Sequence, residues 1–189
     1  AILHGNPLPV DMERMVMSRA VKRAVCDDYY GWRRQVLEPA CSVIARRLNH
    51  TKEEYTVALD ESKADRSYLF GRLIAVADQM ERATFSRDEM GSRTTNAMRY
   101  MEIFSTRPAS TWMTLQRKLL PYQQKREMYG GKERKLISKI GSMFHDDDFL
   151  SDRPLNGKFL LGYYCQQYAM ELEREENRKK KEALQEEEA

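Results

Sequence analysis

The chain has 189 residues, 41% hydrophobic and 32% charged, with 32 Lys and Arg against 29 Asp and Glu for a net charge of +3. No run approaches the roughly 20 apolar residues that a membrane helix needs. Cys26, Cys41 and Cys165 are odd in number and widely spaced, which excludes a disulfide framework or a Cys-rich metal site and predicts buried thiols in a reducing, cytoplasmic setting.

The chain opens Ala1-Ile2-Leu3, without Met and without a signal-peptide pattern, as a segment from inside a longer protein would. After Pro7 and Pro9, Val10, Met17, Val21 and Ala24 recur at helical spacing. Pro39 suits a first helical turn, with Cys41, Ile44 and Leu48 forming a stripe behind it. Asn49-His50-Thr51 matches a glycosylation acceptor, a chance match in a reducing compartment. Residues 52–63 are polar and aperiodic and predict a loop. Asp65 is placed to cap the next helix, whose stripe is Leu69, Leu73, Val76 and Met80.

A second polar stretch, residues 86–94, precedes a short helix carrying Ala97, Met101 and Phe104. Pro108 opens another, with Trp112, Leu115, Leu119 and Tyr122 on one face; Pro121 lies inside it and predicts a kink or an end there. Gly130-Gly131 is a break. Leu136, Ile140 and Met143 mark one more helix, followed by a turn around His145 to Asp152. The last helix begins between Leu155 and Lys158, and its run from Phe159 to Cys165 is apolar or aromatic on all sides, as for a helix buried among neighbours. Gly162 permits a close approach by another helix. Strand signals are missing. The prediction is an all-α bundle of about six to seven helices over residues 1–172, with a subdivision near 86–94. A charged tail, 173–189, extends the long C-terminal helix or is disordered.

No catalytic constellation emerges. Neither phosphate-binding glycine pattern is complete, since Gly130-Gly131-Lys132 lacks the second half of a Walker loop. The histidines, His4, His50 and His145, stand in no protease-like context. His145-Asp146-Asp147-Asp148 is the one run that invites a metal, but consecutive residues rarely converge on one ion and no second cluster supplies ligands. It reads as an acidic turn. No cofactor and no metal is expected.

The charge distribution carries more information. Residues 1–145 hold 25 Lys and Arg against 17 Asp and Glu, whereas residues 146–189 hold 7 against 12. Between Arg107 and Lys139, nine basic residues face only Glu127 and Glu133. Arg117, Lys118, Lys125, Arg126, Lys132, Arg134, Lys135 and Lys139 fall largely off the apolar stripes of two successive helices. They are the candidate nucleic-acid-binding residues, because phosphate contacts need only a positive surface. The alternative is an ordinary solvated face. Trp112, Tyr122, Tyr163 and Tyr164 could stack on bases, but their place on apolar stripes favours the core.

Phe159-Leu160-Leu161-Gly162-Tyr163-Tyr164-Cys165-Gln166-Gln167 resembles the C-terminal signature of the large subunit of type I-C CRISPR surveillance complexes (Cascade). Three further segments follow that family's order: Ala1-Ile2-Leu3-His4-Gly5-Asn6-Pro7-Leu8-Pro9, then Tyr68-Leu69-Phe70-Gly71-Arg72-Leu73-Ile74-Ala75-Val76, then Pro108 to Tyr122 with Thr111-Trp112 and Leu119-Leu120-Pro121-Tyr122. The resemblance runs from the first residue to about Ala169. It implies the C-terminal helical region of that subunit, equivalent to or overlapping a small subunit made by internal translation, for which Met80, Met90 and Met98 are candidate starts. It also implies as partners the displaced strand of target DNA, the guide RNA complex, other CRISPR subunits and a separate helicase-nuclease that cuts the target. A module that bridges proteins without touching nucleic acid is the competing expectation; an enzymatic role would rest on His145 to Asp148 alone.

Overall fold

The computed structural model describes residues 59–86, 93–128 and 131–187. The helices expected around Val10 to Ala24 and behind Pro39, Cys26, Cys41 and the Asn49 sequon lie outside the described residues. Within them the chain forms five helices and no strand: α1 (Arg66–Arg82), α2 (Asn96–Thr106), α3 (Pro108–Glu127), α4 (Lys132–Gly141) and α5 (Lys158–Glu187).

Helix α1 starts where Asp65 adopts an extended backbone and its side chain accepts from the Tyr68 amide at 3.2 Å, satisfying one donor that the first turn leaves open. Leu69, Leu73, Val76 and Met80 are fully buried, as the stripe requires. Burial nevertheless extends around the whole helix, since every residue from 67 to 78 is buried. Helix α1 is therefore the central element, with α5 lying along it and α2, α3 and α4 touching it.

The α1–α5 contact rests on two glycines facing opposite backbones. A Cβ on Gly162 would lie 2.0 Å from the Tyr68 carbonyl oxygen, and one on Gly71 would lie 2.0 Å from the Phe159 carbonyl oxygen. Only hydrogen at both positions permits that spacing. The close approach brings polar groups of the two helices into register. Arg72, fully buried, donates from Nε to Gln166 Oε1 at 2.9 Å. Asp78, also fully buried, accepts from Tyr163 Oη at 3.2 Å and Gln167 Nε2 at 3.0 Å. The Leu-Gly-Tyr-Tyr-Cys-Gln-Gln segment and the Tyr68 to Val76 segment are thus the two halves of one interhelical lock. Cys165 is a buried thiol within it.

Helix α2 is tied to α1 by carboxylates. Thr95 caps it by accepting from the Met98 amide at 3.1 Å, and the Thr95 hydroxyl donates to Asp78. Glu81 reaches across to accept from the Asn96 amide at 2.8 Å and the Ala97 amide at 2.9 Å, so a buried anion sits at a helix N-terminus, where the dipole favours it. Burial still pushes the Glu81 carboxyl above its ordinary 4.5, with these hydrogen bonds opposing the shift. A raised folded-state pKa means that Glu81 contributes stability below pH 4.5 that is lost as pH rises through the raised value. Comparing thermal midpoints of wild type and Glu81→Gln across pH 4–8, we expect the wild type to lose ground relative to the variant as pH increases. A constant difference would show that Glu81 has the same affinity for its proton folded and unfolded.

Pro121 does not end α3, which continues to Glu127. Proline removes the donor to the carbonyl four residues back, here Arg117. Pro121 and Arg117 are both exposed, so that carbonyl faces water while Leu115 and Leu119 hold the helix down through full burial. Gly131, at φ 57°, takes the left-handed conformation that separates α3 from α4. The acidic turn is used structurally: Arg66 donates to the carbonyls of Asp148 at 3.1 Å and Arg153 at 3.0 Å, and also to that of Ser151. Asp152 accepts from the Ser110 amide at 3.0 Å in the first turn of α3. Among the described residues no cluster of His, Cys, Asp and Glu is arranged to hold a metal, and no helix is long and apolar enough to cross a membrane.

Helix α5 changes character along its length. Residues 159–166 are buried, and from residue 171 to 185 the side chains are exposed. The charged tail is helical to Glu187.

Candidate nucleic-acid interface

The basic residues of α3 and α4 gather around the corner where these helices meet α1 and α5. Three grooves adjoin there. The first, about 420 Å³, lies among the end of α1, the α3–α4 junction and α5, and includes Arg126, Lys132 and Glu133. The second, about 400 Å³, lies beyond the turn that follows α1; Lys118 and Lys125 line it together with Arg93, Asn96 and Tyr122. The third, about 310 Å³, runs between α4 and α5 and includes Lys132, Lys135 and Lys139. Lys132, Leu136, Met170 and Glu173 line both the first and the third. The first and third therefore form one furrow that carries Arg126, Lys132, Lys135 and Lys139, four of the eight expected residues, while Lys118 and Lys125 line the second groove. The second groove shares no lining residue with the other two. Arg117 and Arg134 are exposed but line none of the three grooves.

The field of this furrow is weaker than the excess of basic residues suggests, because neighbouring acids neutralise half of the eight. Arg126 pairs with Glu133 at 2.7 Å and Lys139 with Glu61 at 2.8 Å, while Lys132 meets Glu173 and Arg134 meets Glu127. The Lys139 ammonium holds the Glu61 carboxyl below its ordinary range. These pairs are largely exposed apart from Arg126–Glu133, and such pairs exchange readily with other anions. Among the described residues Arg117, Lys118, Lys125 and Lys135 form no ion pair; Lys118 lies 5.9 Å from the centre of the Tyr100 ring. These four are the cations most open to a polyanion.

Four wall residues add to those expected from charge alone. Arg93 and Asn96 bring the start of α2 to the second groove, and Arg82 and Phe85 bring the end of α1 to the first. Arg93 covers the Phe85 ring at 4.9 Å. The Thr-Thr-Asn run at 94–96 is a helix-start signal, and would have placed Arg93 at a structured helix entrance. The aromatics Trp112 and Tyr163 are buried in the core.

The model of the family described as CRISPR-associated protein (Cas_Csd1) matches residues 1–170. The chain belongs to the Cas_Csd1 family. No curated protein matches it. Membership of Cas_Csd1 makes the chain a CRISPR-associated subunit of the Cascade kind. The matched span takes in α1 to α4 and the buried first half of α5, so the Gly71–Gly162 lock and all of the groove-lining residues except Glu173 and Arg174 fall inside the family's region. The exposed remainder of α5 follows it.

Proposed function

We propose that this chain is a non-catalytic subunit, or part of one, of a type I-C RNA-guided DNA-targeting complex, and that it holds the displaced DNA strand along the α3–α4 furrow. It corresponds in this reading to the C-terminal region of the large subunit or to the internally translated small subunit. Guide pairing reads the sequence while the protein binds backbone; other subunits flank it, and a recruited helicase-nuclease cuts the target. The observation that supports this most is that three grooves at this corner, two of them continuous, are edged by Lys118, Lys125, Lys132, Lys135 and Lys139.

A single strand bound this way gives affinity that falls with salt at a slope of about 0.7 per phosphate contact. The three groove-lining cations without acidic partners, Lys118, Lys125 and Lys135, then predict a log–log slope of about −2 for anisotropy titrations of the chain with a single-stranded oligonucleotide. A slope near zero would place the strand elsewhere. A protein-bridging role has one observation in its favour: Met113 and Leu120, seven residues apart on α3, are 59% and 54% exposed and flank Arg117. That stripe suits contact with another subunit, and it can coexist with a strand in the furrow.

A further inference from the structure

Helix α5 carries one of its faces from the core out into solvent. Gln167, Met170, Arg174, Arg178, Lys181 and Gln185 follow one another at steps of three or four residues, so they share a single stripe of the helix. Gln167 turns to Asp78 of α1, and Met170 and Arg174 line the first groove. Beyond the groove the stripe consists of Arg174, Arg178 and Lys181, with Asn177 and Gln185 beside them, and all five are exposed. No Asp or Glu stands on it, although Glu is the commonest residue between 171 and 187. Lys179 and Lys180, on other faces, each follow a Glu four residues back, whereas Arg178 follows Arg174 and Lys181 follows Asn177.

Arg174 and Lys181 form no ion pair among the described residues. Arg178 lies 3.6 Å from Glu182 in a pair exposed on both sides, which exchanges readily with another anion. From Arg174 to Lys181 the helix rises about 10 Å. That matches the screening length of about 10 Å at 0.1 M salt, so the three charges reinforce one another. A line of cations free of acids, leading out of a cationic groove, is complementary to a linear polyanion. We propose that Arg174, Arg178 and Lys181 carry a single-stranded nucleic acid onward from the first groove along the exposed half of α5, by contacts to its phosphates. This rests on the strand-holding reading and extends it to a surface outside the eight basic residues of α3 and α4, and beyond the family's matched span. An acidic protein is the less suitable occupant, because a broad acidic patch would also engage Lys179 and Lys180, which are equally exposed.

Anisotropy titrations of the full chain test this with a labelled oligo-dT of about 30 nucleotides, longer than the roughly 4–16 that one small binding module covers. Three phosphate contacts on the stripe steepen the log–log salt slope from the value of about −2 that the groove cations alone predict to about −4. Arg178→Gln combined with Lys181→Gln removes two of them and should bring the slope back by about 1.4, to about −3. Lys179→Gln combined with Lys180→Gln makes the same change in net charge on other faces, and should leave the slope nearly where it was. Equal losses in the two double variants would overturn the stripe and leave only net charge. An unchanged slope in Arg178→Gln, Lys181→Gln, with binding still lost in Lys118→Glu, Lys125→Glu, keeps the strand in the grooves and overturns the extension alone. If that unchanged slope came with weaker assembly into the complex, the stripe would belong to a protein partner instead. Failure of the wild type to bind the strand removes strand holding and its extension together.

Discussion

Gly162→Ala should lower the thermal midpoint of the chain by about 6–12 °C, corresponding to roughly 3 kcal/mol or more. The new methyl would lie 2.0 Å from the Tyr68 carbonyl oxygen and 2.8 Å from its carbonyl carbon. These are backbone atoms in the middle of a packed contact, with no rotamer to move aside, so α1 and α5 must separate. Separation also stretches the Tyr163–Asp78 and Arg72–Gln166 hydrogen bonds, whose groups are buried and would be left without water. Gly71→Ala meets the same obstacle from the other side, at Phe159 oxygen and at Tyr163 nitrogen, 2.7 Å away. Gly141→Ala is the control. A Cβ there has nothing within 4 Å, and the change should be neutral or stabilise by about 0.4–1 kcal/mol through the unfolded chain. Thermal melts followed by circular dichroism read all three. A Gly162→Ala midpoint within a degree of wild type would mean that the helices are not held this close.

The double reversal Lys118→Glu and Lys125→Glu should have the largest effect on DNA. Both residues line the second groove beside Arg93 and neither has an acidic partner among the described residues. Removing two phosphate contacts from a single-stranded site reduces the salt slope by about 1.4. The added negative charges should also lower affinity by on the order of tenfold or more near 0.1 M salt, where charges along the furrow still feel one another over about 10 Å. Both residues are exposed on the outer side of α3, so the fold should survive, and an unchanged melting curve would confirm that the loss is local. Unaltered affinity and slope would exclude the second groove from the strand's path.

Much of the scaffold was legible because apolar spacing follows directly from helix geometry. The Asp65 cap, the stripe of α1, the start of α3 at Pro108 and the fully apolar opening of α5 are all observed. The ordered lock between α1 and α5 was only half visible. Gly162 stood out within an apolar run, but its partner Gly71 and the buried Arg72, Asp78 and Glu81 did not. A charged residue in a helix reads as solvated unless its remote partner is known, and Gln166 lies 94 residues from Arg72. Whether Pro121 ended α3 was undecided for a related reason: the effect of its missing donor depends on the surroundings of the orphaned carbonyl, which are a tertiary property. At the furrow, counting charge picked out residues of which six line surface grooves. It could not show that Glu61, Glu127, Glu133 and Glu173 neutralise half of the eight, because two of those acids come from α5 and the loop before α1.

A target DNA bearing photoreactive bases along its displaced strand, assembled with the guide-loaded complex, probes strand holding most directly. Cross-linked peptides should map to residues 118–139 and to the neighbouring start of α2 near Arg93. Efficient cross-linking to other subunits with none to this chain would contradict the strand-holding role and leave protein bridging through the Met113 and Leu120 face as its function.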